Sequence, residues 1–288
     1  MNSFIPKIAA VHDLSGYGRC SLSVVVPILS SMGMQVCPMP TSVLSTHTGG
    51  FEGYTFVDLT DTMAAYYKHW RSLNIQFDCI YSGFLGSEKQ VDIISDMIDA
   101  FSDGNPLVVV DPAFADNGAL YSTFDMAFVP HMKRLVAKAH TITPNITEAA
   151  FLLNRPLPHT LTNDEAREWL LALAKTGPET IIITSAPLKD SKSSVIAYEK
   201  SKNKFYKLAC TYIPAEYPGT GDTFASVLTG ALLQKNDLPI AMTRAVDFVA
   251  ECIRATFEAG TLPRDGVLLE NRLQTLSKIP AASACLPL

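Results

Sequence analysis

Short runs of mostly apolar residues alternate along the chain with longer segments in which apolar residues recur every three or four positions. The runs predict strands that are buried on both faces, as in a parallel sheet. The clearest are Ile8–Val11, Leu107–Val110 and Thr180–Thr184. The periodic segments predict amphipathic helices, one after nearly every strand. This alternation predicts an α/β fold with a central, mostly parallel sheet and helices on both of its faces.

The segments between these elements predict the turns and loops of the chain and the order of its last residues. A polar, glycine-bearing turn is expected at His12–Arg19, and a hydroxyl-rich loop at Thr41–Phe51. The segment Val195–Tyr212 predicts a hairpin of two edge strands, and the chain after Leu276 is expected to fray. Because no repeat, low-complexity tract or linker divides the sequence, residues 1–288 are expected to form a single domain.

One stretch, Tyr217–Ser226, combines a tight turn with the start of a helix. Gly219 and Gly221 flank a threonine, and Asp222 follows at once. An apolar stripe at helical spacing then begins, formed by Phe224, Val227, Leu228, Ala231 and Leu232. Because the first amides of a helix lack partners and the helix dipole adds positive charge there, the turn predicts an anion site. The alternative, in which Asp222 is an ordinary N-cap and the glycines only form the turn, fits so short a motif equally well.

Acidic residues also follow one of the predicted buried strands. Asp111 ends the strand Leu107–Val110, at the edge where open α/β sheets bind ligands, and Asp116 follows in an irregular stretch. Two carboxylates at this spacing fit a Mg²⁺ site with direct or water-mediated ligands. Loops also collect aspartates for solubility, so the spacing alone does not decide between these interpretations.

Composition and charge exclude some classes of partner and indicate a compartment. The 288 residues are 48% hydrophobic and 18% charged, with a net charge of −5 and no long basic run. We therefore expect neither a nucleic-acid interface nor a membrane-surface patch. The N-terminal residues lack the apolar core of a signal peptide, and no apolar run approaches membrane-spanning length. The six cysteines are scattered without a CxxC pair, so we expect a protein of the reducing cytoplasm without zinc or disulfides.

An anion site, an aspartate and candidate Mg²⁺ ligands at one sheet edge favour phosphoryl transfer from a nucleotide. The GxxxxGK[ST] loop and the protein-kinase motifs are absent, so the turn before Asp222 would itself hold the phosphate. A dinucleotide-dependent oxidoreductase is disfavoured, because Gly16 and Gly18 follow a strand but Ser21 occupies the third glycine position. A non-catalytic binding protein on the same fold would be expected to lack Asp222.

The chain resembles the ribokinase-like superfamily over nearly its whole length, and most closely the vitamin B6 kinases within it. The resemblance rests on short motifs in the same order: Ser42-Val43 with His47-Thr48-Gly49, Ser82-Gly83-Phe84, Asp111-Pro112 with Asp116 and Tyr121, Thr143-Pro144-Asn145 with Glu148, Thr184-Ser185, and Gly219-Thr220-Gly221-Asp222. It implies a three-layer α/β/α fold. It also implies ATP-dependent phosphorylation of the 5′-hydroxymethyl group of pyridoxal, pyridoxine or pyridoxamine.

The resemblance implies roles for the acidic residues and the turn. Asp222 would be the general base that takes the proton from the substrate hydroxymethyl group. The charge on the transferred phosphoryl group would be stabilised by the amides of Gly219, Thr220 and Gly221. Asp111 and Thr143 would help to bind a cation beside the phosphates. The residues that would meet ATP or its Mg²⁺ are Asp116, Asn145, Glu148, Thr184 and Ser185, with Glu148 also a metal ligand.

The resemblance implies further contacts on the substrate side. Thr48, together with His47, would touch the ring substituents, and Phe84 would pack on the ring. Tyr121 would lie on a lid that closes over the substrate and excludes water. The resemblance also implies Mg²⁺ with ATP as the phosphoryl donor, and a homodimer. It leaves open whether a monovalent cation, K⁺ or Na⁺, takes part.

The first loop departs from the vitamin B6 pattern. The segment His12–Gly18 lacks the Ser-His start of well-known pyridoxal kinases and is more similar to the Asp-Pro-Ser-Gly-Gly loop of hydroxymethylpyrimidine kinases in thiamine synthesis. Because that loop approaches the substrate, a hydroxymethylpyrimidine (phosphate) kinase is the alternative function. Either Ser15 or Asp13 would make the substrate contact there, whereas the His47-Thr48-Gly49 match favours a vitamin B6 ring.

Overall fold

The computed structural model describes residues 5–211, 213–279 and 283–288 of the chain. The strands are β1 (Lys7–Tyr17), β2 (Gln35–Thr46), β3 (Phe56–Asp58), β4 (Cys79–Ser82), β5 (Leu107–Val110), β6 (Ala115–Asp116), β7 (Ala119–Leu120), β8 (Thr141–Ile142), β9 (Thr180–Leu188), β10 (Ser191–Glu199), β11 (Lys204–Ala209) and β12 (Leu286–Pro287). The helices are α1 (Leu22–Ser31), α2 (Thr60–Ser72), α3 (Glu88–Ala100), α4 (Phe128–Val136), α5 (Ile146–Leu153), α6 (Asn163–Ala174), α7 (Thr220–Leu233) and α8 (Leu238–Ala259).

A mixed sheet forms the centre of the molecule, in the order β12-β11-β10-β9-β8-β5-β4-β1-β2-β3. The strands from β9 to β2 in this order are parallel to their neighbours. The antiparallel pairs that the structure describes in this sheet lie towards its two edges. A separate hairpin, β6-β7, lies just beyond the end of β5. The predicted α/β fold with a mostly parallel sheet is therefore confirmed.

Helices cover both faces of the sheet and make two apolar cores. Ile8 and Ala10 of β1 contribute to the core beneath α1, α7 and α8. Ala9 and Val11, which alternate with them, contribute to the opposite core beneath α2 to α6. Successive side chains of a strand point to opposite faces, so a strand covered on both sides must be apolar throughout. This is the physical basis of the short apolar runs in the sequence.

Two predicted loops are in fact continuations of strands. The predicted turn at His12–Arg19 is wrong over most of its length, because β1 continues to Tyr17 with a register shift between His12 and Leu14. Its partner β2 continues to Thr46, into the segment predicted as a loop. Ser15 pairs with Leu44, so each extension supplies the hydrogen bonds of the other. Pairing between distant segments thus overrides local glycine and hydroxyl content.

The end of the chain also differs from the prediction of a frayed tail. Residues 286–287 form β12 on the outside of β11, and Leu288 is only 2% exposed. The two strands predicted within Val195–Tyr212 are confirmed as β10 and β11, while Tyr212 itself lies outside the described residues. In the described part of the chain, no helix has both the length and the apolar character to span a bilayer.

Candidate active site

The turn before α7 places a helix N-terminus at the carboxyl edge of the sheet. Gly219 is the N-cap, with a φ of 78°, and a Cβ there would lie 2.1 Å from the carbonyl oxygen of Arg19. Only glycine fits that position without displacing the backbone. Gly221 is exposed, and a Cβ there would meet nothing within 4 Å. The amides at the start of α7 therefore border open space that an anion can enter.

Asp222 lies in the first turn of α7 and not at its N-cap, so the interpretation of Asp222 as a simple cap is wrong. Its Oδ2 accepts a hydrogen bond from the amide of Ser21 at 2.8 Å and from the thiol of Cys20 at 3.4 Å. Both contacts use Oδ2, and among the described residues Oδ1 has no hydrogen-bond donor. Asp222 thus has one anchored oxygen and one that is available to a ligand.

The protein environment raises the pKa of Asp222. Burial is the largest cause and brings the pKa to about 6, with the charge of Asp13 acting in the same direction. The hydrogen bonds from Ser21 and Cys20 act in the opposite direction, because they favour the carboxylate. A carboxyl group with this pKa is largely ionised at neutral pH and is more basic than an ordinary aspartate, which suits a general base.

Ser21 reaches Asp222 through an unusual backbone conformation. Its φ is 52° and its ψ is −130°, in a region that residues with a side chain rarely adopt. This conformation lies at the start of α1 and turns the Ser21 N–H towards the Asp222 carboxylate. Strain of this kind costs about 1–3 kcal/mol and is typical of functional sites.

Asp111 lies directly after β5, close to Asp222. Its Oδ1 accepts a hydrogen bond from the hydroxyl group of Thr143 at 3.0 Å, and the residue is 8% exposed. Burial raises the pKa of Asp111 to about 7, and the charge of Asp222 contributes to the increase. The structure therefore brings Asp111, Thr143 and Asp222 together, as expected for residues at the ends of neighbouring elements.

Glu148 and Asn145 have their polar groups bound within the protein. They form a reciprocal capping box at the start of α5, in which the Glu148 Oε2 accepts the Asn145 N–H at 2.9 Å. The Glu148 Oε1 accepts the amide of Phe114 at 3.0 Å, and the Asn145 side chain donates to the carbonyl of Ala115 at 2.8 Å. Burial, and then the charge of Asp111, raise the pKa of Glu148 well above its usual value. These bonds fasten the β6-β7 hairpin to α5.

The donor set at this edge fits a cation that is shared with a ligand. In residues 5–211, 213–279 and 283–288, no group of three or more His, Cys, Asp or Glu side chains is arranged to hold a metal ion. Mg²⁺ usually takes one or two carboxylates and completes its shell with water and phosphate oxygens. Asp111 and the hydroxyl group of Thr143 supply oxygen donors of this kind, whereas Glu148 is 2% exposed and is occupied by backbone amides.

The residues predicted to contact a nucleotide lie beside this group. Thr184 forms a parallel bridge with Asn145, and its amide donates to the carbonyl of Pro144 at 2.9 Å. Ser185 is exposed and has a φ of 56°, another left-handed conformation. Asp116 lies on the exposed hairpin, where its Oδ1 accepts the amide of Asn117. Thr184 and Ser185 therefore border the site, while Asp116 is on its outer side.

His47 has no ring nitrogen available for a substrate. Its Nδ1 accepts the amide of Gly49 at 3.1 Å, and its Nε2 lies 2.7 Å from the carbonyl oxygen of Arg264. An acceptor at Nδ1 and a donor at Nε2 define the neutral tautomer with its proton on Nε2. His47 is buried, whereas Thr48 next to it is exposed. In this conformation His47 joins two loops, and Thr48 is the residue that faces outwards.

Aromatic side chains form a wall beside the hairpin. The ring centroid of Phe84 is 5.6 Å from that of Phe124, and the ring of Tyr121 stacks on Phe124 at 6.5 Å. Tyr121 is 38% exposed and follows β7 directly. Ser15 lies deeper and donates to the Asp13 carboxylate at 3.1 Å. The predicted Phe84 and Tyr121 therefore lie in one aromatic cluster.

The family model for phosphomethylpyrimidine kinase matches residues 28–265, which includes most of these elements. The chain belongs to the phosphomethylpyrimidine kinase family. Within this family it is similar to a Bacteroides thetaiotaomicron protein that is provisionally named a phosphomethylpyrimidine kinase and was solved with pyridoxal. The two are 48% identical, with 99% of this chain and 100% of the other covered and a TM-score of 0.95.

The chain is also similar to relatives that are named pyridoxal kinases. The crystal structure of pyridoxal kinase from Lactobacillus plantarum is 30% identical and covers 95% of this chain and 97% of its own, with a TM-score of 0.86. A pyridoxal kinase of Corynebacterium diphtheriae is 26% identical over 92% of this chain and 94% of its own. The expected ribokinase-like, vitamin B6 kinase group is therefore confirmed, and the chain is a kinase.

Sequence reasoning missed several residues that shape the site of this kinase. Cys20 and Ser21 bind the Asp222 carboxylate, and Arg264 binds His47. No local pattern marks them, because each acts on a partner about 200 residues away along the chain. The glycine requirement at Gly219, which is set by the carbonyl of Arg19, has the same origin.

Proposed function

We propose that the protein transfers the γ-phosphoryl group of ATP to the 5′-hydroxymethyl group of a vitamin B6 ring: pyridoxal, pyridoxine or pyridoxamine. The observation that carries the proposal is the unoccupied Oδ1 of Asp222 beside the open N-terminus of α7. The relatives named pyridoxal kinases and the pyridoxal in the Bacteroides structure support this choice of acceptor.

Asp222 acts as the general base in this proposal. Its Oδ2 is held by Ser21 and Cys20, so Oδ1 is the atom that takes the proton from the hydroxymethyl group. Removal of that proton makes the oxygen nucleophilic as it approaches the γ-phosphorus. The negative charge on the transferred group is stabilised by the amides of Gly219, Thr220 and Gly221, which no intrahelical acceptor competes for.

Asp111 and Thr143 hold the cation side of the site. These two residues would hold Mg²⁺, which would supply positive charge against the phosphates of ATP. Glu148 and Asn145 act mainly through their neighbours, since they fix the base of the β6-β7 hairpin and so the approach to the phosphates. Thr184, Ser185 and the exposed Asp116 are proposed to contact the nucleotide. A monovalent cation, K⁺ or Na⁺, beside the phosphates remains part of the proposal.

The ring of the substrate is proposed to lie against the aromatic wall. Phe84 packs on the ring, Thr48 and Ser15 contact its substituents, and Tyr121 closes over it with the hairpin. Such closure matters because water competes with the alcohol as phosphoryl acceptor. His47 contributes through its two internal hydrogen bonds. The proposal includes a homodimer, as the resemblance implies, and a cytoplasmic setting, which the six free cysteines support.

A direct test measures ADP formation by the purified protein with Mg²⁺ and ATP. Pyridoxal, pyridoxine, pyridoxamine and hydroxymethylpyrimidine are compared side by side, with Asp222→Asn as the blank, and phosphate esters are identified by ³¹P NMR. Preference for the pyridine alcohols is the expected result. Preference for the pyrimidine would instead assign the function that the family's name describes, which is the alternative.

A further inference from the structure

Asp13 is a buried carboxyl group that the proposed chemistry does not use. It lies at the register shift in β1 and is 6% exposed. The Ser15 hydroxyl donates to its Oδ2 at 3.1 Å, and the Ser21 side chain also favours the carboxylate. Burial raises the pKa of Asp13, because desolvation disfavours the charged form. A carboxylate has about four acceptor positions, so two hydroxyl donors and the residue's own backbone amide leave capacity for a ligand.

Asp13 lacks an ion-pair partner within the part of the chain that the structure describes. Across the described ranges, no salt bridge includes Asp13. Arg19, a nearby basic residue in the sequence, is bound to Glu270 at 2.7 Å. The ring of His47 is close enough to act on Asp13, but both its nitrogens are bound in the pattern of the neutral tautomer. Buried carboxylates are normally paired, so Asp13 lacks the positive partner that its burial calls for.

The position of Asp13 indicates what this partner is. Ser21 joins Asp13 to Asp222, because its amide donates to the Asp222 Oδ2 at 2.8 Å and its side chain hydrogen-bonds the Asp13 carboxylate, and the ring of His47 is also near Asp13. Asp13 therefore lies between the proposed base and the loop proposed to border the ring. In pyridoxine and in hydroxymethylpyrimidine alike, a ring nitrogen is meta to the carbon that carries the hydroxymethyl group. With that group at Asp222, the ring nitrogen is separated from Asp222 by the width of the ring, and Asp13 is the second buried carboxylate that Ser21 joins to Asp222.

We infer that Asp13 binds the protonated ring nitrogen of the substrate and so selects heteroaromatic alcohols that carry an N–H⁺ group. The inference rests on the proposed function and names the feature of the acceptor that this chain recognises. A hydrogen bond between a buried carboxylate and a cationic N–H is among the strong ones. Its loss corresponds to about a 10- to 100-fold change in affinity.

The test compares two substrates in two proteins. The substrates are pyridoxine and its carbocyclic analogue, in which a C–H replaces the ring nitrogen; the proteins are the wild type and Asp13→Asn. Wild type is expected to prefer pyridoxine in kcat/KM by about 10- to 100-fold. In Asp13→Asn this ratio should fall to within about threefold of unity, chiefly through KM for pyridoxine. Each ratio comes from one preparation, so a reduced folded fraction cancels.

Ser15→Ala is the matched control for the ratio, because it removes a donor to Asp13 and the proposed contact with substituents that both substrates share, but keeps the carboxylate. It should retain most of the preference for pyridoxine. A wild type that is active on pyridoxine but shows no preference over the analogue overturns the inference, as does a preference that persists in Asp13→Asn. Both results leave the proposed function intact. A wild type that phosphorylates none of the ring alcohols refutes the proposed function and the inference with it.

Discussion

Replacement of Cys20 by alanine should raise the pKa of Asp222, the proposed catalytic base. The Cys20 thiol donates to the Asp222 Oδ2 at 3.4 Å and favours the ionised form. Burial and the neighbouring acids raise the pKa of the thiol itself well above its usual value, so Cys20 acts as a neutral donor. Its removal leaves the Ser21 amide as the remaining donor to that oxygen. The ionised form of Asp222 is then less stable while its protonated form is unaffected, so the pKa of Asp222 rises.

The size of this effect follows from the free energy of one hydrogen bond. A typical net contribution is about 1 kcal/mol, and a thiol is a weak donor. Since about 1.4 kcal/mol corresponds to one pKa unit, the change is about 0.5–1 unit upward from a value of about 6. Activity falls as pH decreases through this pKa, because the base becomes protonated. The variant should therefore lose activity first at the acid end of the range.

The assay is the pH profile of kcat at saturating pyridoxine and ATP, for the wild type, Cys20→Ala and Cys20→Ser. The alanine variant should shift the acid limb to higher pH, and the serine variant, which keeps a donor, should not. The same substrates are used throughout, so their own ionisation cancels in the difference. An acid limb that stays in place or moves to lower pH in Cys20→Ala would show that the thiol does not act on Asp222 as argued.

Three further substitutions test the rest of the site. Asp222→Asn should lower kcat by about 10²- to 10⁴-fold while nucleotide binding, measured by calorimetry, persists; near-normal turnover would remove its role as the base. Gly219→Ala should lower the free energy of unfolding in urea by about 2 kcal/mol or more, since its Cβ would meet the carbonyl of Arg19. Gly221→Ala is the stability control for Gly219→Ala, because a Cβ at Gly221 would meet nothing within 4 Å. Glu148→Gln should raise KM for Mg·ATP and cost about 1–3 kcal/mol of stability, because an NH₂ group replaces an oxygen that accepts a buried amide; no change in either quantity would contradict this.

Elements with a strong local pattern were predictable from the sequence. The strand Leu107–Val110 is apolar throughout and was predicted with its observed bounds. The extension of β1 to Tyr17 was not, because its glycine and polar residues are typical of a turn and its register partner is on β2. The last strand, at residues 286–287, depends in the same way on its pairing with β11. Local composition does not contain the information that such distant pairing supplies.

The candidate site also contains residues that a local pattern predicts and residues whose use depends on distant partners. Asp111 follows a recognisable strand and Asp222 follows a recognisable turn, so their place at one sheet edge follows from α/β topology. The prediction that His47 touches the ring stays untested, but the structure binds both of its nitrogens internally. The resemblance supplied the residue type, while the carbonyl of Arg264, far along the chain, determines how the side chain is used.

The role of the turn before α7 does not follow from its own short sequence, because it depends on contacts with Arg19–Ser21. The carbonyl oxygen of Arg19 occupies the space beside Gly219, and the Arg19 amide donates to the carbonyl of Asp265 at 3.2 Å. Arg19 thus fixes three segments against one another, and the next two residues reach Asp222. The strained backbone of Ser21 costs about 1–3 kcal/mol. Its amide bond to a charged acceptor, worth about 1.5–3 kcal/mol, offsets that cost only while Asp222 is ionised. The conformation of the first loop and the charge of the proposed base are therefore coupled.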